Sequence, residues 1–554
     1  METNIYKNLF KNCQLCKCSD GAELYFSKNS DEKSYFALIC ELKALGYEAY
    51  AEREIGKNRF ATLVGASKTL TVYYIPCEKT LRMVSEEGIS LPPRDSENSY
   101  IPVTTPLITQ KKTSNLQNNC GMSYIIRLSD GRFIIIDGGF DEYEEAENLV
   151  RLIEEQNTLQ GKPIIAAVFI THSHNDHIGA LTGILQRYSD RLVFGDFIFN
   201  WPNEKLCYMI PVASHAEFDE ALRGILGARI IHARSGQRFY YADAVIDILF
   251  TPDDLYPELI HPFNNSSLIM MMNLSGKRIF FTADSGVTET ARLISRYGEF
   301  LKCHILQVAH HGYGGGSTEL YSLAEPQVLL WPAPNYWYEI VKAWETNEYF
   351  KQEKFIGKTF VSGKGSVSLD LSLPLDEAAA KLNPTCAKLP YRADFCGRVT
   401  DLGWTAVMVG SKKLMEADLT FKSGECLWRG VEIGRTLLEI LPPDVLDNAE
   451  GYKLKLSGKA AEDNGSFGIL FNLPRPIDVA DTDLLPVPIE KGDFDILLSV
   501  DKKGRLFSLE YNGRTLVCEK YTPASGCGLY LSLTVGEISL YSVEVTSKNA
   551  ESKE

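Results

Sequence analysis

Hydrophobic and polar residues follow three different patterns along the chain. In residues 1–100, the run SYFALICELKALGYEAYAE (34–52) places Phe36, Ile39, Leu42 and Leu45 at helical spacing, and the stripe stops at Gly46. The short runs RFATLVGA, TLTVYYIP and TLRMVS after it are rich in β-formers. Together they predict a small α+β module. LPPRDSENSY (91–100) carries paired prolines among polar residues and reads as a linker.

From 101 to 370, strand and helix patterns alternate, which predicts an α/β domain. GMSYIIRL, the turn SDGR and FIIID form a hairpin pattern, followed by the amphipathic helix EYEEAENLVRLIEEQ (142–156). PIIAAVFI (163–170) is a buried-strand pattern, and HIGALTGILQRY (177–188) a helix. SLIMMMNL and KRIFFTAD are two more strands joined by SGK, and KCHILQVA (302–309) leads into HHGYGGGS. Residues 371–546 are short alternating runs between turns and predict an all-β sandwich, while the polar tail 547–554 predicts disorder.

Composition narrows the function classes. The chain has 554 residues, enough for about three domains. The net charge of −15 makes polynucleotide or an anionic membrane an unexpected partner. No apolar run reaches the roughly 18 residues of a membrane span, and METNIYKNLFKNCQLCKC does not read as a signal peptide. Thirteen scattered cysteines suit a reduced, cytoplasmic protein. Cys13, Cys16 and Cys18 cluster, but no second Cys/His pair lies nearby to complete a zinc site.

The chemistry concentrates in THSHNDHIG (171–179), directly after a predicted strand. His172 and His174 on the loop can aim two imidazoles at one point, and Asp176 and His177, where the chain turns into a helix, can aim at a second. Zinc favours imidazole and carboxylate donors. Two metals roughly 3.5–4 Å apart can clamp both oxygens of a displacement. His215, His232 and His304 read as structural.

THSHNDHIG resembles the metal-ligand motif of the metallo-β-lactamase superfamily, and FIIIDGG, FFTAD and QVAHHGYGGGS match further motifs of that family. The resemblance implies an αββα sandwich for 101–370, with Asp137 supporting the ligand loop from behind. It implies that Asp284 bridges two metals, with Ala283 standing where the family often has Gly. His-His-Gly resembles the DNA-uptake-channel branch and the His-Trp-Gly of phospholipase-D-like members, where the first residue is the ligand. On that match His310 is the expected ligand, and His311 contacts substrate or packs. LIHPFNNSSLIMMM resembles the branch's Asn-x-x-Ser-Leu pattern, which often lacks the family's third-motif His. Either His261 fills that position, or Asn264 or Asn265 lines the site instead. Tyr313 and the glycines after it form a loop suited to contacting substrate.

The resemblance implies a hydrolase with two zinc ions, or manganese or iron in their place. A metal-bridging hydroxide would attack, with Asp176 orienting its proton. A small-molecule ester, with a phosphodiester preferred, is the expected substrate. The competing readings are a binding or adaptor protein with a vestigial site and a diiron redox protein; redox members usually carry Glu where this chain has His174. GLYLSLTVGEISLYSVEV looks like the closing strands of concanavalin-like jelly rolls, which would allow a glycan partner stacked on Trp404 or Trp428.

Overall fold

The computed structural model describes residues 6, 10, 13–114, 120–142, 144–208 and 215–382, and in the C-terminal region 389–393, 395, 404–408, 419–422, 424–430, 436–447, 449–472, 484–525 and 527–547. Two compact units emerge, one spanning Met1–Thr113, Cys120–Ala333 and Tyr338–Leu382, the other centred on Asn383–Glu554.

The first unit begins with a six-stranded antiparallel sheet and the helix Glu32–Ala44, capped by the Asp31 side chain, which accepts the Ser34 N–H. The buried stripe is Tyr35, Leu38, Ile39 and Leu42, whereas Phe36 and Leu45 are 51% and 50% exposed. The expected stripe stepped by three residues, which drifts around a 3.6-residue helix. After Gly46, where the stripe was expected to stop, the chain continues as the strand Glu48–Ile55. This sheet shares a core with strands later in the same unit: Leu24, Phe26 and Tyr73 pack in one cluster with Met271, Phe280 and Leu306. Polar pins cross the same junction. Arg82 donates to the Asp254 carbonyl (2.9 Å), and Arg296 pairs with Glu78 (2.6 Å).

Two seven-stranded sheets complete the unit. In the first, the order is Arg229–His232, Val193–Phe199, Ile164–Phe169, Phe133–Ile136, Tyr124–Arg127, Leu107–Gln110 and Val367–Asp370. The second runs Arg238–Tyr241, Ala244–Phe250, Ile269–Leu274, Lys277–Phe281, Ile305–Gln307, Val328–Trp331 and Thr359–Val361. Each is part parallel, part antiparallel. Ile134, Ile136 and Phe169 of one sheet share a core cluster with Ile246, Met270 and Phe281 of the other. The opposite face of the first sheet is covered by helices Glu145–Gln156 and Asn175–Arg187 through Leu149, Ile153, Leu181 and Ile184. Helices Val287–Tyr297 and Thr318–Ala324 cover the second through Leu293 and Leu320. The helix Leu375–Lys381 also enters the inter-sheet core with Leu375, Ala378 and Ala379, so this unit extends past the expected boundary at 370.

The second unit holds two antiparallel sheets, of eight and five strands. Burial alternates along Gly451–Ala460 and Gly492–Asp501, the period-2 pattern of strands buried on one face. Trp404 and Trp428 are both buried, Trp404 donating to the Tyr391 hydroxyl (2.7 Å) and Trp428 meeting Phe467 at 6.2 Å. Both therefore take the core role, the default for two tryptophans in a sandwich, rather than the stacking one. Ser547 ends the last strand, and 548–554 lie outside the described residues. Among the described residues, no helix is long and apolar enough to cross a membrane.

Candidate metal centre

Four loops converge, each at the C-terminal end of a strand in a sheet interior: those after Phe133–Ile136, Ile164–Phe169, Lys277–Phe281 and Ile305–Gln307. They carry Asp137, the histidine-rich stretch, Asp284 and His310–His311. A strand end is a rigid mount, and a short loop beyond it leaves side chains free to turn inward.

Asp137 is fully buried and fixes the first ligand loop from behind. Its Oδ1 accepts the Thr171 N–H (2.8 Å), and its Oδ2 accepts the Thr171 hydroxyl (2.7 Å) and His177 Nδ1–H (2.7 Å). Its φ of +54° lies in the left-handed region, which Asp tolerates better than most residues. Gly138 comes next because the helix passes close by: a Cβ there would lie 2.7 Å from the Leu181 backbone nitrogen. Thr171 was not singled out from sequence, although it opens the motif; its hydroxyl is what binds the loop to Asp137.

Asp284 is the hub. Its Oδ2 lies 3.3 Å from His177 Nε2, 3.4 Å from His311 Nε2, 3.8 Å from His172 Nε2 and 3.9 Å from His310 Nε2. The preceding Ala283 has φ +50°, which explains why glycine suits that position. Gln307 holds this strained peptide. Its Oε1 accepts the Thr282 and Ala283 N–H groups (2.8 and 2.6 Å), and its Nε2 donates to the Ala283 carbonyl (3.1 Å).

The structure brings His311, rather than the expected His310, into the ring of buried donors. His311 Nε2 faces Asp176 Oδ2 (3.2 Å) and Asp284 Oδ2, while its Nδ1 donates to the Pro332 carbonyl (2.6 Å). The reason is backbone: His310 and His311 both have positive φ, +48° and +54°, so the chain twists and the second ring points inward. Gly312, at φ +84°, continues the twist beneath the Trp331 ring, 2.5 Å from where a Cβ would stand. His310 lies at the open side, its side chain 33% exposed, with Nε2 2.9 Å from Asn264 Nδ2.

His261 does not join the site either. It is exposed on a loop, its ring 4.9 Å from Tyr208, while its carbonyl accepts the Asn265 amide (3.1 Å). Asn264 stands on that side of the site, 3.2 Å from Asp284 Oδ2. Tyr313 borders His310 (ring centroids 6.1 Å apart).

Two metal-capable groups therefore share Asp284: Asp176, His177, Asp284 and His311, and His172, His174 and Asp284. In the second, His172 Nε2 and His174 Nδ1 face each other at 2.9 Å. The donor set fits divalent cations. His177 Nε2, His311 Nε2 and Asp284 Oδ1 are buried without hydrogen-bond partners. Because Nδ1 of both rings is committed to an acceptor, Nε2 of each is the atom turned into the shared volume, available to a cation that displaces its proton. A third group, Asp20, Glu86 and His232, lies elsewhere and is paired with Arg234. Electrostatics bind the site together. Burial alone would push the Asp284 carboxyl up, but His311, His177 and His310 together hold it well below the usual range. Burial likewise opposes charge on His177, yet Asp284, Asp137 and Asp176 raise its pKa to about 10. Burial raises Asp137, against the pull of His177 and Thr171.

Comparison with known proteins finds one family match and several partial structural matches. A family profile described as Metallo-beta-lactamase superfamily matches residues 121–320, so that stretch is a domain of this superfamily. The solved metallo-beta-lactamase fold protein YhfI from Bacillus subtilis aligns at 14% identity over 48% of this chain and 99% of its own, with a TM-score of 0.30. CmlA, a diiron beta-hydroxylase from Streptomyces venezuelae, aligns at 12% identity over 41% of this chain and 44% of its own, TM-score 0.25. A Bacillus subtilis protein of galectin-like fold aligns at 12% identity over 28% of this chain and 94% of its own, TM-score 0.21. No curated protein matches the sequence.

Proposed function

We propose that the protein is a two-metal hydrolase of esters, with zinc as its metal and a phosphodiester as its preferred substrate class. The observation that carries this reading is the single Asp284 oxygen within 3.9 Å of four imidazoles, shared by two donor groups. Asp176, His177, Asp284 and His311 would hold one ion, and His172, His174 and Asp284 the other. Ions bound there supply an activated water and positive charge for the oxygens of the displacement.

The protein's own groups divide the remaining work. Asp137 keeps His177 in the tautomer that leaves Nε2 free. Asp176, its side chain 25% exposed, stands at the opening, where it can orient the attacking water's proton. Asn264 donates to Asp284 Oδ2 and to His310 Nε2, so it steadies both side chains at the open side of the site. No side-chain nucleophile is required, because charge developing on the substrate meets a site preorganised for it.

The test is metal content together with turnover. About two zinc ions per chain, and hydrolysis of bis-p-nitrophenyl phosphate that chelation abolishes and zinc restores, are expected. Asp284→Ala should lose both while keeping its circular dichroism. A wild-type protein that binds no metal from zinc-replete buffer would overturn the reading.

A further inference from the structure

The opening of the site is built from rings. Only His174, Asp176 and His310 of the convergent groups reach partway to solvent; His172, His177, Asp284 and His311 are buried. Beside His174 lies Phe263, with ring centroids 5.1 Å apart. Two residues back, His261 packs edge-on against Tyr208 at 4.9 Å, and Tyr208 is 68% exposed. Beside His310 lies Tyr313, whose ring meets Trp344 edge-on at 5.4 Å, and Trp344 is 38% exposed. Phe263 is itself buried, whereas Tyr208 and Trp344 face water, which costs free energy that a ligand covering them can recover.

What the mouth lacks is equally specific. Among the described residues, the hydrogen bonds and ion pairs of His172, His174, Asp176, His177, Asp284, His310 and His311 include none to a lysine or arginine. A polyphosphate or a polynucleotide needs cationic partners for the phosphates beyond the one being cleaved. A single ester group needs only the metal centre.

From these two observations we infer that the substrate is a small ester of low charge carrying a flat ring beside the scissile bond, held by Phe263 next to His174, with His261 and Tyr208 farther along that loop, and by Tyr313 next to His310, with Trp344 beyond it. The inference rests on the hydrolase reading for its ester and on the rings for its specificity. Phe263 and Tyr313, closest to the donor groups, set the position of the ring. Tyr208 and Trp344, farthest out, add contact area and are the residues to remove.

The experiment separates ring recognition from turnover. Zinc-loaded wild type, Tyr208→Ala, Trp344→Ala and the double variant are titrated calorimetrically with phenylphosphonate and with methylphosphonate, which carry the same charge. Wild type should bind the phenyl compound at least about 10-fold more tightly, the scale of one stacked ring. The double variant should lose most of that preference while binding methylphosphonate as before. Hydrolysis of bis-p-nitrophenyl phosphate, which carries such a ring, should behave in parallel, with the variants raising KM more than they change kcat. Equal affinity for the two phosphonates, or a preference that survives in the double variant, overturns the inference. So does tighter binding of a single-stranded oligonucleotide than of phenylphosphonate. A ring preference without hydrolysis of any ester would count against the hydrolase reading and leave the ring inference standing.

Discussion

Replacing Asp137 by Asn is the sharpest probe of how the centre is held. Asn keeps the size of the side chain and tolerates the left-handed backbone at φ +54°, so the change is almost purely chemical. The carboxylate serves three donors: the Thr171 N–H, the Thr171 hydroxyl and His177 Nδ1–H. An amide has one oxygen. If its NH2 replaces Oδ1, it faces the Thr171 N–H. If it replaces Oδ2, it faces His177 Nδ1, and the imidazole must move its proton to Nε2, which removes the lone pair aimed at Asp284. Either way the His177 side of the centre weakens. Losing an outer partner of a ligating histidine costs about 10–100-fold in metal affinity. That corresponds to about 1.4–2.7 kcal/mol. The loss should be larger at one of two binding steps, because Asp137 bonds His177 directly and reaches His172 only through the Thr171 hydroxyl. Zinc titration against a competing chelator resolves the two steps. Unchanged affinities at both steps, or equal losses at both, would refute the reasoning.

The same geometry leads to three further outcomes. His311→Ala should drop zinc content to about one ion per chain while His310→Ala keeps two, as read by elemental analysis; the reverse result would restore His310 as the ligand. Gln307→Leu leaves the buried Thr282 and Ala283 N–H groups without an acceptor, at about 1–3 kcal/mol each. Since Asp284 is common to both groups, this variant should weaken both zinc steps alike, whereas Asp137→Asn should weaken one more than the other. Glu289 is buried with neither carboxyl oxygen paired, and burial pushes its pKa up to about 7. Its pKa is therefore higher folded than unfolded, so stability falls as pH rises from about 4.5 to 7 and then levels, a loss of roughly 3 kcal/mol. Glu289→Gln should flatten that slope and be the more stable protein at pH 8 in urea titrations; identical slopes would show that Glu289 is not the source.

The parts of the centre legible in sequence are those whose position is set by a strand ending. Asp137, His172, His174, Asp176, His177 and Asp284 each sit just past an apolar run, and the run itself tells where its end points. The errors arise where the backbone departs from the usual regions. Choosing between His310 and His311 depends on two successive positive φ values, which letters without a glycine do not announce. His261 was close in sequence to the missing ligand position, yet its loop turns the ring outward onto Tyr208, and Asn264 stands beside Asp284 instead. Ala283 shows the other side of this problem. A residue replacing the family's usual glycine invites the reading that the turn has changed, but φ remains +50°. Gln307, more than twenty positions away, holds the strain with three of its hydrogen bonds. Long-range clamps of this kind leave no local pattern. They account for why the metal-capable residues were readable as an inventory, while which histidine joins the buried donors required the fold.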